Sequence, residues 1–270
     1  MADKMRADLA LVDRGLASSR EKAQALIMAG LVYIREVNVR KPSVMVGPED
    51  ELIVRDGGNR YVSRGAYKLE KGLKVFPVDP KGITAMDLGA STGGFTDVLL
   101  QNGAAHVYAI DVGYGQLDWK IRNDPRVTVM ERTNARYLTA ADFETVPTLG
   151  VMDVSFISIT KILPAAAQIM GDAGRFITLI KPQFEAGREK IGKKGVVRDP
   201  GTHAEVIRGI MKFVREEMGW VPAGLSYSPI RGPEGNIEFL AYLLPAGKGT
   251  DTVTEECILR TVEEAHSALD

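Results

Sequence analysis

Four charged side chains stand where a polar group can do chemistry: Lys68, Asp153, Lys181 and Glu238. Lys181 ends the apolar run Phe176-Ile-Thr-Leu-Ile180 and precedes Pro182, so its ammonium projects at the carboxyl edge of a sheet. Asp153 closes a neighbouring run in the same way, and Glu238 opens the last one beside Asn236. Lys68 follows Ser63-Arg-Gly-Ala-Tyr67, on a helix that puts Arg64, Lys68 and Lys71 on one face. A partly desolvated lysine close to a second lysine has its charged form disfavoured and can serve as a base. Taken singly, each lysine is an ordinary solvated surface residue.

The second chemical feature is a glycine-dense turn, Asp87-Leu-Gly-Ala-Ser-Thr-Gly-Gly-Phe-Thr96, which follows an apolar run and opens a helix. Such a turn lets a ligand lie against bare backbone. A dinucleotide fingerprint needs glycine at three fixed positions, the middle one giving the pyrophosphate room. Here Gly89, Ser91 and Gly94 occupy those positions, with Gly93 and Phe95 beside them, so the middle one carries a side chain. Asp87 would repel a pyrophosphate and attract an ammonium group. The pattern therefore favours the methionine end of S-adenosylmethionine (SAM) over a dinucleotide or a turn with no ligand. Asp111, at the end of the next strand, is placed for two ribose hydroxyls or for capping that strand. Asn134 is placed for an adenine edge or for a local turn.

The segment after the fourth strand bears on the methyl acceptor. Enzymes that methylate base amino groups carry an Asn/Asp-Pro-Pro-aromatic loop there, and Asp153-Val-Ser-Phe156 lacks those prolines. A pyrimidine carbon-5 enzyme needs a cysteine nucleophile, but the single cysteine, Cys257, lies in a C-terminal amphipathic stretch, where it reads as a buried structural thiol. Three scattered histidines (His106, His203 and His266) have no metal-ligand spacing, so no protein-bound metal is expected.

These residues need a sheet to hold them. Strand patterns cover Thr84–Leu88, Val107–Ile110, Val127–Met130, Gly150–Asp153, Phe176–Ile180, Ala223–Tyr227 and Ile237–Leu243; helices cover Gly94–Gln101, Thr160–Met170 and His203–Met218. The last two strands, joined by a turn without a helix, predict an antiparallel hairpin at the sheet edge. The class is α/β: a Rossmann-like sheet of seven strands of the kind SAM-dependent methyltransferases use.

Residues 1–58 read as a separate small α+β unit ahead of a domain at 59–270, with the break at Asp56-Gly-Gly-Asn59. A short helix over Ala7–Val12 closes at Gly15; Ser18 and Glu21 predict a capping box for a second helix ending at Gly30. Strand-like Leu31–Ile34 and Leu52–Val54 follow.

Composition sets limits. A chain of 270 residues that is 45% hydrophobic and 26% charged is an ordinary soluble globular protein. No run approaches the ~18 apolar residues of a membrane span. The charged N-terminus does not resemble a signal peptide, and one cysteine fits a reducing cytoplasm. The net charge of -1 conceals local basic stretches: Arg60, Arg64, Lys68, Lys71 and Lys74 against Glu70 alone, and another around Arg188. A neutral protein can still present such a face to phosphates.

Residues 1–58 resemble the S4 RNA-binding domain in Arg6-Ala-Asp-Leu-Ala-Leu-Val, Gly15-Leu-Ala-Ser-Ser-Arg-Glu-Lys-Ala23, Ile27-Met-Ala-Gly-Leu-Val32, Lys41-Pro and Asp50-Glu-Leu-Ile-Val54. One departure is Ile34-Arg-Glu-Val37, where that family commonly has an Asn-Gly turn. The resemblance implies that Arg6, Arg20 and Lys22 meet RNA phosphates. Ser63-Arg-Gly-Ala-Tyr-Lys-Leu69, the 87–95 loop, Asp153-Val-Ser-Phe-Ile157, Lys181-Pro-Gln-Phe184 and Gly235-Asn-Ile-Glu238 resemble the FtsJ-type ribose 2'-O-methyltransferases. With an S4 unit in front, the chain is similar to their TlyA branch, often labelled haemolysin. That resemblance implies a tetrad of Lys68, Asp153, Lys181 and Glu238. It also implies SAM bound by the 87–95 loop, Asp111, Asn134 and Asp153, and RNA contacts at Arg64 and Arg188. The substrate implied is ribosomal RNA or a ribosomal subunit, with a cytidine ribose as acceptor. The competing expectations are a non-catalytic RNA-binding factor of the same fold, and a membrane-active haemolysin for which no apolar face is evident.

Overall fold

A computed structural model of the chain describes residues 4–28, 30–35, 37–54, 60–192 and 195–269. The break expected at Asp56–Asn59 lies outside the described residues. The chain divides into two compact units, Met1–Arg60 and Tyr61–Asp270.

In the first unit, β1 (Met5–Arg6) leads into α1 (Ala7–Asp13), followed by α2 (Arg20–Met28), β2 (Val32–Ile34), β3 (Val37–Asn38), β4 (Met45–Val46) and β5 (Leu52–Val54). β1 pairs antiparallel with β4, and β3-β2-β5 form a three-stranded sheet. Ala7, Leu11, Ala23, Ile27 and Val32 bury their side chains together, which is why both helices carry apolar residues three or four apart. The expected cap moves by one residue. α2 starts at Arg20, and the Ser19 hydroxyl, not that of Ser18, accepts the Lys22 amide at 3.2 Å. Starting there turns Ala23 and Ile27 inward; a box built on Ser18 and Glu21 does not form. The β2–β3 turn places Arg35 at φ 55°, the conformation for which an Asn-Gly turn is suited.

The second unit is built on one seven-stranded sheet in the order β11-β12-β10-β9-β6-β7-β8. Its strands are β6 (Thr84–Leu88), β7 (His106–Ile110), β8 (Val127–Met130), β9 (Leu149–Met152), β10 (Arg175–Ile180), β11 (Trp220–Tyr227) and β12 (Phe239–Pro245). β12 runs antiparallel to both neighbours, so the last two strands form the expected edge hairpin. Asp153 and Glu238 fall just outside the strands at the same edge, their backbones still bonded to Leu88 and Ser228.

Helices cover the sheet: α3 (Ala66–Val75), α4 (Gly94–Gln101), α5 (Trp119–Arg122), α6 (Leu163–Met170), α7 (Pro182–Glu185), α8 (Pro200–Glu216) and α9 (Glu255–Leu269). The helix expected from Thr160 is a separate 3-10 turn, Ile159–Lys161, followed by α6, whose first turn holds Pro164. α8 begins three residues before His203 because Asp199 caps it, accepting the Thr202 amide, and Pro200 fits its first turn. α9 buries Ile258, Val262 and Ala265; Cys257 is half-buried rather than buried, since it points off that stripe. The histidines are not all scattered: His203 on α8 and His266 on α9 lie 3.0 Å apart, ring nitrogen to ring nitrogen. No described helix is long and apolar enough to cross a membrane.

Candidate active site

Strand register assembles the site. In an open sheet, ligands bind beyond the carboxyl ends of the parallel strands, where the strand order reverses. Leu88 pairs with Met152, which sets Gly89 beside Asp153. Ile180 pairs with Phe239, and because β12 is antiparallel its beginning lies at the same edge as the end of β10. Lys181 and Glu238 are thereby brought to one end of the sheet.

The four charges form a chain. Lys68 Nζ lies 2.6 Å from Glu238 and 3.4 Å from Asp153, whose other oxygen is 2.5 Å from Lys181 Nζ. Lys68, Lys181 and Glu238 are buried, while the Asp153 side chain is 19% exposed. Burial alone would push the Lys68 ammonium down, but Asp153 and Glu238 overcome it and hold Lys68 above the usual lysine range. For Lys68, the expectation that a neighbouring lysine disfavours its charge is not met: Asp153 stands between the two ammonium groups, and Lys68 is kept cationic. Arg64, Lys68 and Lys71 do not share one helix face: α3 starts after Arg64, which meets Lys68 only at the cavity below, and the Lys71 ammonium sits 3.1 Å from the centre of the Tyr227 ring.

A cavity of about 500 Å³ opens over this chain, lined by Lys68, Asp153 and Lys181 together with Arg64, Gly89, Ser91, Gly94 and Phe95. An adjoining cavity of about 360 Å³ shares Gly89, Ser91, Asp153 and Ser155 and extends past Asp111, Thr133 and Ala135. The loop has no room for larger residues. Gly89, at φ 84°, would drive a Cβ to 2.8 Å from the Asp153 carbonyl oxygen, and a Cβ on Gly94 would collide with the Ser63 hydroxyl. Gly93, at φ 94°, does not line either cavity; it packs against Leu117 and Ile121 and sets the start of α4.

Asp87 is fully buried behind the loop and lines neither cavity. One carboxylate oxygen accepts the Thr96 amide at 3.0 Å and its hydroxyl at 2.7 Å, and the other has no partner among the described residues. Burial, reinforced by the charges of Asp153 and Asp111, pushes Asp87 up to about 7. Asp111 accepts the amides of Ser91 and Gly113 at 2.8 and 2.7 Å and lines the second cavity. Asn134 does not line it: its side chain accepts the Arg136 amide, capping a 3-10 turn, while Thr133 and Ala135 face the cavity instead. Two carboxylates, Asp111 and Asp153, line the cavities beside a tight glycine loop and suit a ligand that brings positive charge. The ammonium and sulfonium of SAM fit that requirement, and a pyrophosphate does not.

Sequence reasoning missed several site residues. Ser155 accepts from Lys181 Nζ at 2.9 Å and stands where both cavities meet. Phe156, at φ 65° and 91% exposed, lies with its ring centre 5.1 Å from that of Phe184 at the mouth. Glu185, raised above the usual carboxylate range by burial, accepts from the Ser158 hydroxyl and the Ile159 amide, tying this loop to α7. The Asp153-Val-Ser-Phe156 motif contained two of these residues; their roles depend on a backbone turn that residue types alone do not reveal. Among the residues expected to meet RNA, Arg6, Arg20 and Lys22 belong to the first unit, Arg64 is exposed at the cavity rim, and the Arg188 side chain lies outside what the structure describes.

The chain matches the family model for FtsJ-like methyltransferases over residues 61–244 and that for the S4 domain over residues 5–52. It is 52% identical over 269 residues to a provisionally named rRNA methyltransferase, YqxC, of Bacillus subtilis, covering 98% of this chain and 95% of that one. It is 46% identical over 244 residues to the 16S/23S rRNA (cytidine-2'-O)-methyltransferase TlyA of Mycobacterium tuberculosis, covering 90% and 91%. A solved structure from Streptococcus thermophilus under a provisional hemolysin designation superimposes with a TM-score of 0.75 at 45% identity, covering 99% and 98%. The glycine loop, the four linked charges and these similarities together place the chain in the FtsJ-like methyltransferase family.

Proposed function

We propose that this chain transfers a methyl group from SAM to the 2'-hydroxyl of a cytidine ribose in ribosomal RNA. The observation that carries the reading is the Glu238–Lys68–Asp153–Lys181 chain opening onto the same cavity as the glycine loop. The TlyA relative is named for this reaction.

SAM supplies an activated methyl on a sulfonium, so the residues need only position the hydroxyl in line and help its proton leave. Lys181 Nζ donates to the Ser155 hydroxyl at 2.9 Å and ion-pairs with Asp153 at 2.5 Å. A further N–H of the same ammonium would meet the 2'-oxygen, turning a lone pair toward the methyl. Of the two roles open to Lys181, base or steering group, its fixed position between Asp153 and Ser155 suits steering. The hydroxyl proton, acidic once the carbon–oxygen bond forms, leaves to water in the open cavity. Cationic Lys68, anchored by Glu238, holds Asp153 in place. Gly89, Ser91, Gly94, Phe95, Asp111 and Asp153 form the SAM seat; Asp87 and Gly93 shape it from behind.

RNA would be held by Arg6, Arg20 and Lys22 in a domain spanning 1–58, and by Arg64 and Arg188 in a catalytic domain spanning 59–270, acting on ribosomal subunits in the cytoplasm. Incubation of the protein with labelled SAM and ribosomal RNA tests the reading. A Lys181→Ala chain that still binds both partners but transfers 10²- to 10⁴-fold more slowly supports it. Transfer at the normal rate by that variant overturns it, and no transfer by the parent protein indicates an RNA-binding factor that lacks the activity.

A further inference from the structure

Asp8 is a carboxylate with no exposure to solvent in the first unit, and the chemistry above makes no use of it. Its oxygens accept from Arg6 Nε and Nη2 at 3.0 and 3.1 Å, from Arg20 Nε at 3.0 Å and from Gln24 Nε2 at 2.9 Å. Arg6 comes from the end of β1, Arg20 and Gln24 from one face of α2, and Asp8 from α1, so one carboxylate gathers three elements. Both guanidinium groups remain outward, with side chains 39% and 53% exposed. Among the described residues, Arg6 Nη1 and both terminal nitrogens of Arg20 have no hydrogen-bond acceptor.

A side chain that only balanced charge would not need this arrangement. A buried carboxylate that engages the inner edges of two arginines fixes both planar forks and leaves their outer edges as paired donors. Free arginine side chains lose rotamer entropy on binding an anion; these two are already ordered. Two cations on one anion keep a net positive charge, and the fork geometry matches the oxygens of a phosphodiester.

We propose that Asp8 is a positioning residue that builds a phosphodiester seat from Arg6 and Arg20 for the RNA backbone. The inference rests on the reading of this unit as RNA-binding. It makes a prediction whose sign ordinary electrostatics reverses. Neutralising an acid in a basic patch should tighten RNA binding, whereas here Asp8→Asn frees both forks and weakens it.

The full chain and its variants are titrated against protein-free 23S ribosomal RNA across a range of salt, with SAM affinity and thermal unfolding measured in parallel. Asp8→Asn is expected to bind RNA about 5- to 30-fold more weakly with SAM affinity unchanged, and Arg6→Ala to add little in the Asp8→Asn background. Because the buried substitution can unfold the unit, Arg20→Lys serves as a second variant. It keeps the charge at an exposed position but loses the fork, and is expected to bind as weakly as Arg20→Ala. A folded Asp8→Asn chain that binds as tightly as the parent or more tightly overturns the proposal, as does an Arg20→Lys chain with parental affinity. Failure of the parent chain itself to bind RNA would instead overturn the RNA-binding reading.

Discussion

Lys68 and Glu238, 170 positions apart in the chain, hold nitrogen and oxygen 2.6 Å apart with side chains only 6% and 1% exposed. Removing one partner of a buried pair strands the other charge. Lys68→Met is therefore expected to cost about 3–5 kcal/mol. The double variant Lys68→Met/Glu238→Leu should recover much of that stability and still fail to transfer methyl groups. Chemical denaturation and a transfer assay on the same preparations separate the two effects.

Asp87 gives a pH dependence with a definite sign. A carboxyl raised from its ordinary value to about 7 is protonated in both states at low pH, so nothing is lost there. As pH rises from about 4 to 7 the unfolded chain gives up this proton while the native one keeps it, and stability declines by up to about 4 kcal/mol. Asp87→Asn preserves an acceptor for Thr96. It is expected to raise the melting temperature at pH 8 and to have little effect at pH 4.

Phe156 combines a left-handed backbone with near-complete exposure. A bulky residue in that conformation costs about 1–3 kcal/mol and persists where function requires it. Phe156→Gly is expected to raise the melting temperature while slowing transfer to RNA about 10- to 100-fold, the scale of one lost base-stacking contact. SAM affinity should not change.

The sequence made the sheet legible because its buried strands are short apolar runs ending in turns, and strand-end charges such as Asp153 and Lys181 follow directly from that pattern. The direction of a side chain was less legible. Asp87 and Asp111 both close strands, yet one points into the core beneath Thr96 and the other lines a cavity. Periodicity placed Lys68 with Arg64 and Lys71, but the tertiary pull of two carboxylates turned it inward. The Asn134 side chain, whose amide suits an adenine edge, is taken up by the local backbone at Arg136. Ser155 could be named only after the turn at Phe156 had placed it between the cavities.

Gly89 tests the loop itself. Alanine there meets both a positive φ and a backbone oxygen 2.8 Å from its Cβ, so the edge between β6 and β9 must shift. Gly89→Ala is expected to cost at least about 1–2 kcal/mol and to abolish SAM binding measured by calorimetry, while RNA binding by the first unit persists.

The central claim is that the methyl goes to a ribose oxygen. The most direct measurement is alkaline hydrolysis of ribosomal RNA labelled by this protein from methyl-labelled SAM, because a 2'-O-methyl group protects the adjoining phosphodiester from cleavage. The account predicts label in alkali-resistant dinucleotides whose 5' member is a cytidine, and loss of that label with Lys181→Ala. Label recovered in alkali-sensitive mononucleotides, as a methylated base gives, would contradict it.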